Sequence, residues 1–544
     1  MRSSMVLPPI SRLSLTLVAA ASITLFANLE LWKKFYELLL PLTLSEIPFF
    51  VSAGVLVFAI AHGVCHIFSI ARLQKFWLVV ILLCSSAASY YQMHYHVLYD
   101  KTMMQNILAT DYREAYDLFN LPLVFWVSIV GVLPACAVAF WPVKTATVKN
   151  QVLTYLLGYL ISIALLACVA LAFYKDYASL FRNHRELKHF IIPSSFVYSL
   201  YGFALDKTKT SSEPVQVLGA DAQLGTQWAD AKPVVFILVV GETARRANFS
   251  LAGYGKNTNP TLASEDIIFF DQASSCGTAT AMSVPCMFAR APRKEFNLSR
   301  ADYSENLLDV VQHAGLNVHW MDNNSGCKGV CQRVSYEQIP SHINNEFCRD
   351  GECFDMALLE HLPERFATKT PGAVIVLHQK GSHGPSYYER SPEAFKAFLP
   401  ECKSNQLQRC TSEEISNAYD NSIVYTDYVL GQLINQLKAN TQYATAMLYM
   451  SDHGESLGEN GFYLHGFPYA IAPKEQTEIP MIFWASETYR QQFGLDWACI
   501  KNKAHEPLSH DNLFSSLLSL LDIKTTVLDP ALDFTAGCKT RSVP

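Results

Sequence analysis

The chain has little charge and no long basic run. Of its 544 residues only 17% are charged, with 42 Lys and Arg against 48 Asp and Glu and a net charge of −6. Nucleic-acid binding leaves a clustered positive footprint, and none is present, so no nucleic-acid partner is expected. Internal repeats and low-complexity tracts are also missing, and long apolar runs are absent after Tyr174. No C-x2-C…C-x2-C arrangement occurs, which leaves a thiolate zinc knuckle without support.

Half of the residues are hydrophobic, and the long apolar runs all lie in the first third. Five segments stand out: 13–31, 48–71, 77–93, 121–141 and 152–174. A membrane span needs about 20 mostly apolar residues. The third segment is the weakest, diluted by Ser85, Ser86, Ser89, Tyr90 and Tyr91. Trp32, Trp77, Trp126, Trp141 and Tyr174 mark segment ends, as interfacial aromatics do. With a cytoplasmic N-terminus, Arg2, Arg12, Arg72, Lys75, Lys144 and Lys149 lie inside, and Lys33, Lys34, Lys101 and Arg113 lie outside. That bias has the positive-inside sense, and five spans then place everything after residue 174 outside.

Cysteine usage tests this topology separately. Cys65, Cys84, Cys136 and Cys168 lie in the apolar segments; the other ten follow residue 270. Eight of those ten fall into local pairs: Cys276 with Cys286, Cys327 with Cys331, Cys348 with Cys353, and Cys402 with Cys410, leaving Cys499 and Cys538 for each other. An even, closely spaced set reads as a disulfide framework in an oxidising compartment, although spacing does not fix the connectivity.

Three regions follow: a five-helix transmembrane domain over 1–174, a bridging helix and linker over 175–230, and a domain over 231–544 expected outside the cytoplasm, in an oxidising compartment such as a periplasm. In the last, short apolar runs at 234–240, 373–377, 444–450 and 479–484 alternate with helical patterns at 305–313 and 416–438. The expected fold is an α/β domain with a mostly parallel central sheet.

In such sheets, reactive groups gather where loops leave the strands' carboxyl ends. Here those loops carry Gly241-Glu242-Thr243, His378 with Gly381-Ser382-His383-Gly384-Pro385, Ser451-Asp452-His453-Gly454-Glu455, and then Tyr463-Leu464-His465-Gly466. Mixed carboxylate and imidazole donors suit Zn²⁺ better than Mg²⁺ or Ca²⁺. The segment 274–286 adds small hydroxyl residues and a glycine in a turn entering a helix, where a phosphate would meet free amides. A hydroxyl there beside a metal would be an activated nucleophile, and composition alone does not choose among Ser274, Ser275, Thr278, Thr280 and Ser283.

These motifs, in this order, together with Val240-Gly241-Glu242-Thr243-Ala244-Arg245 and Cys276-Gly277-Thr278-Ala279-Thr280, resemble those of the lipid A phosphoethanolamine transferases. That family includes the mobile colistin-resistance enzymes and lies within the alkaline phosphatase and sulfatase superfamily. The resemblance spans essentially the whole chain. It implies zinc held by Glu242, Thr280, Asp452 and His453, with Thr280 as the nucleophile that carries phosphoethanolamine. It implies roles for His383 and His465 at the substrate phosphate or a second zinc, and substrate contacts by Lys328 and Ser325. Asn106, Thr110 and Glu114, spaced i, i+4 and i+8 on one helix face, would meet the ethanolamine headgroup. It further implies a phosphatidylethanolamine donor, a lipid A acceptor, polymyxin resistance and an inner-membrane location; a monomer is expected. A sulfatase would need Cys or Ser in C/S-x-P-x-R, which Pro285-Cys286-Met287-Phe288-Ala289-Arg290 does not supply. The alternatives are a phosphoethanolamine or phosphoglycerol transferase acting on another envelope glycan and a non-enzymatic membrane sensor. The sensor would not need the full Glu, Thr, Asp and His set.

Overall fold

The computed structural model describes residues 8–39, 44, 46–69, 73–110, 112–210, 214–229, 231–340, 345–349, 351–367 and 370–539. Arg2, Ala71, Arg72 and Asp230, which figure in the sequence reading, lie outside them. Two compact units emerge: residues 1–104 with 119–204, and residues 105–118 with 205–544.

Among the described residues of the first unit, four helices are long and apolar enough to cross a membrane: Ile47–His66, Leu73–Tyr95, Leu121–Phe140 and Val148–Ala172. The first apolar segment is not one straight span. Arg12–Ala27 and Leu29–Leu38 are bent by 59°, and as one broken span they make a fifth. Asn28 sits at the break. Its Nδ2 donates to the Ile23 and Ile192 carbonyls at 3.1 and 2.9 Å, and its Oδ1 accepts from the Ile192 amide at 2.9 Å. The side chain thus replaces ladder bonds lost at the bend, as backbone in an apolar surrounding requires. Val148–Ala172 buries only Gly158, Ser162 and Val169, leaving an apolar surface suited to lipid.

Among the described residues, the second unit is built on an eight-stranded sheet: β1 Val234–Gly241, β2 Ile268–Ser274, β3 Asn317–Asp322, β4 Ser335–Gln338, β5 Gly372–His378, β6 Ala444–Ser451, β7 Glu478–Ala485 and β8 Leu508–Ser509. Their spatial order is β8-β2-β7-β6-β1-β5-β3-β4. Only the two pairings of β7 are antiparallel, so seven strands share one direction. Strands β1, β5 and β6 are buried throughout, which is why they read as unbroken apolar runs. Alternate residues of β1 serve two cores. Val234, Phe236, Leu238 and Val240 join Trp320, Phe483 and Leu517; Val235, Ile237 and Val239 join Tyr419, Leu430 and Tyr449. Truncating a side chain as buried as Phe236 to alanine would cost about 3–5 kcal/mol.

The helix Ser412–Ala439 covers the second face and starts with a capping box between Thr411 and Glu414. Disulfides join Cys276–Cys286, Cys327–Cys331, Cys348–Cys353, Cys402–Cys410 and Cys499–Cys538, all in this unit. Cys65, Cys84, Cys136 and Cys168 are free thiols. Within the stretch read as a linker, Leu218 and Ala222 are buried in the first core, and Gln223–Leu224 pairs with Ile523–Lys524.

Candidate metal centre

Strands β1 and β6 are parallel neighbours in register Gly241↔Ser451, so the residues that follow them emerge side by side. The Asp452 amide donates to the Gly241 carbonyl at 2.9 Å, fixing the two loops together. Ligand atoms of Glu242, Asp452 and His453 all lie within 4.8 Å of one another, fully buried. His453 Nε2 is 3.3 Å from both Glu242 Oε1 and Asp452 Oδ2. Its Nδ1 faces the Gly454 carbonyl at 2.9 Å; a proton there leaves the Nε2 lone pair to a metal. Asp452 Oδ2 is buried without a hydrogen-bond partner, an arrangement that a cation would complete.

Thr280 comes from a different element. It opens the helix Thr280–Met287 behind Ala279, whose side chain cannot cap it. The Thr280 hydroxyl lies 3.1 and 3.3 Å from the two Glu242 oxygens and 3.3 Å from His453 Nε2. Two carboxylates, one imidazole and one hydroxyl thus converge, an oxygen-and-nitrogen set that fits zinc.

Electrostatics follow from burial. Asp452 is pushed up to about 6, first by burial and then by the Glu242 charge. Burial also opposes ionisation of Glu242, but the hydrogen bond and charge of His453 hold its carboxyl well below the ordinary range. Burial lowers His383 well below the usual imidazole value, outweighing Glu242, so it is neutral near pH 7.

His465 lies beside the cluster, its ring 4.4 Å from His453 and 5.5 Å from His383. Glu455 Oε2 sits 3.2 Å from His465 Nδ1 and orients the ring. His383 Nε2 is 4.0 Å from Glu114 Oε1. Lys328 Nζ donates to Ser325 Oγ at 2.8 Å and to the Ala109 carbonyl at 3.3 Å. Asn106, Thr110 and Glu114 do not share one helix face: Lys101–Ala109 and Tyr112–Asp117 are separate helices. The Thr110 hydroxyl bonds back to the Asn106 carbonyl at 2.8 Å, a contact that bends helices.

Several residues escaped the sequence reading. Asn324 Nδ2 donates to Glu242 Oε2 at 2.7 Å, and Asp322 Oδ2 holds His378 Nδ1 at 2.9 Å. Thr243 touches both metal-facing carboxylates. Arg390 bonds the His383 carbonyl, Glu352 and Asp117. His378 and Thr243 sit in quoted motifs, a usable signal; nothing in the sequence pointed to Arg390.

Comparison with known proteins adds to this geometry. Residues 57–208 match the family described as phosphoethanolamine transferase EptA/EptB, and residues 235–523 match the sulfatase family. Phosphoethanolamine transferase EptA of Escherichia coli (strain K12) is 39% identical over 98% of both chains. Phosphatidylethanolamine transferase Mcr-1 of Escherichia coli is 38% identical over 82% of this chain and 83% of its own. The integral membrane protein lipooligosaccharide phosphoethanolamine transferase A from Neisseria meningitidis has TM-score 0.93 and 37% identity, covering 98% of this chain and all of that one.

Proposed function

Because the chain belongs to the EptA and Mcr family of phosphoethanolamine transferases, we propose that it moves phosphoethanolamine from phosphatidylethanolamine to a phosphate of lipid A through Thr280. The observation that carries this reading is the Thr280 hydroxyl, 3.1 Å from Glu242 and 3.3 Å from His453 at a helix N-terminus. The sulfatase match reflects the shared fold, since the chain lacks the C/S-x-P-x-R pattern.

Glu242, Asp452 and His453 would hold zinc with Thr280. When bound, zinc would lower the proton affinity of the Thr280 hydroxyl and offset charge on the phosphoryl oxygens. Thr280 Oγ1 attacks phosphorus; the bond to the diacylglycerol oxygen breaks, and that oxygen takes a proton. In the second half, a lipid A phosphate oxygen attacks phosphorus and Thr280 regains its hydroxyl. In this proposal His383, kept neutral by burial, or His465, steered by Glu455, protonates the leaving oxygen or deprotonates the acceptor. They are also the groups to hold the phosphate or a second metal. Lys328 with Ser325 supplies counter-charge to the phosphate, and Glu114 pairs with the ammonium. Asn106 and Thr110 line the approach of the headgroup. An inner-membrane location with the second unit in the periplasm is part of this proposal; the apolar helices and the five disulfides, which suit an oxidising compartment, support it. Transfer adds an amine to lipid A and lowers its affinity for polymyxin.

The test is Thr280→Ala in the full-length protein, with intact-protein mass spectrometry after exposure to phosphatidylethanolamine vesicles and lipid A mass spectrometry from expressing cells. Wild type gains the adduct and modifies lipid A; the variant does neither. An alanine variant with full activity overturns the assignment.

A further inference from the structure

Thr243 has φ of +58°, a left-handed conformation in which a β-branched residue is strained. It is wholly buried and follows Glu242 directly. Tyr419 holds the turn: its hydroxyl donates to the Thr243 carbonyl at 2.7 Å and accepts from the Arg245 amide at 2.9 Å. The Ala244 amide donates to Ser451 Oγ at 2.8 Å, tying the turn to the neighbouring loop.

Glycine would adopt this conformation without strain, so the turn alone does not require threonine. What threonine adds is a hydroxyl, and that hydroxyl donates to Glu242 Oε1. The Thr243 amide donates to Asp452 Oδ1 at 3.1 Å. One residue therefore occupies one oxygen on each of two carboxylates. On Asp452 the other oxygen, Oδ2, lies 3.3 Å from His453 Nε2 with no hydrogen bond of its own.

We propose that Thr243 is a positioning residue for metal binding: its amide and hydroxyl fix the rotation of Asp452 and Glu242, so that defined oxygens face the cation. The strained conformation is what aims amide and hydroxyl at different carboxylates from a single residue. The inference rests on the reading of Glu242, Asp452 and His453 as a zinc site.

The test compares Thr243→Ser, Thr243→Ala and Thr243→Gly in the full-length protein in detergent. Zinc affinity is measured by competition with a chromophoric chelator, and the melting temperature of each metal-free protein is recorded. Serine, which keeps both donors, should bind zinc like wild type. Alanine and glycine, which lose the hydroxyl, should bind about 10–100-fold more weakly, the range typical of groups that orient metal ligands. Metal-free glycine protein should melt no lower than the alanine variant, because glycine relieves the left-handed strain. A purely structural role predicts another pattern: melting temperature falls while zinc affinity of the folded protein is unchanged, and that result overturns the inference. Serine weakening zinc as much as alanine does also overturns it. Wild-type protein that binds no zinc overturns the site reading as well, which separates the two failures.

Discussion

Replacing Arg390 by methionine would remove a buried cation from between two acids. The Arg390 side chain is 2% exposed. Its Nη2 is 2.6 Å from Asp117, its Nη1 is 2.7 Å from Glu352, and its Nε donates to the His383 carbonyl at 2.8 Å. Burial disfavours the Glu352 charge, yet Arg390 and then Lys380 hold this carboxyl down to about 2, against an ordinary 4.5. At ~1.4 kcal/mol per tenfold change in proton affinity, that is about 3 kcal/mol of stability at neutral pH. The figure agrees with the roughly 3–5 kcal/mol lost when one partner of a buried pair is deleted. Two effects limit the loss. Lys380 stays 3.4 Å from Glu352. Asp117, already pushed up by burial in spite of Arg390, would take up a proton in the variant. An expected cost of about 2–3 kcal/mol remains, or a 30–150-fold faster amide exchange (roughly) in the helix Tyr112–Asp117 and around His383. Because the folded Glu352 carboxyl is depressed, its contribution is present above about pH 4.5 and fades as pH falls toward about 2. The gap between wild type and Arg390→Met should close over that window. Hydrogen-exchange mass spectrometry at pH 7 and at low pH reads both quantities. A gap below about 1 kcal/mol at pH 7, or one that persists unchanged in acid, refutes the electrostatic reasoning.

Gly381 has φ of +55°, and a Cβ there would lie 2.4 Å from the Glu242 carbonyl oxygen. Gly381→Ala should therefore cost about 2–5 kcal/mol and displace Glu242, seen as lowered melting temperature and zinc content; a variant with wild-type zinc content would contradict this. Stripping metal with a strong chelator should lower the melting temperature and abolish transfer, with recovery on adding zinc but not magnesium. Glu114→Gln should raise KM for phosphatidylethanolamine roughly tenfold with little change in kcat, checked by steady-state kinetics in mixed micelles; a pure kcat defect would place Glu114 elsewhere in the cycle.

The legible parts of this protein are those in which burial alone dictates residue type. Strands β1, β5 and β6 are enclosed on both faces, so they appear as apolar runs, and the groups at their carboxyl ends stand out by contrast. Apolar content does not encode direction, and so β7, buried from Ile479 to Ala485, gave no sign of running against the other strands. Helical spacing likewise reports a face only while the helix lasts. Asn106, Thr110 and Glu114 obey the period, but Lys101–Ala109 and Tyr112–Asp117 are two helices. The apolar run 13–31 hides a bend because the compensating partner of Asn28 is Ile192, 164 residues away. Arg390 is the extreme case, paired with an acid 273 positions earlier. Local patterns identify residues that need burial or carry chemistry. The partners that hold those residues in place are chosen by tertiary structure, so what Thr243, Asn324 and Arg390 support became apparent only in three dimensions.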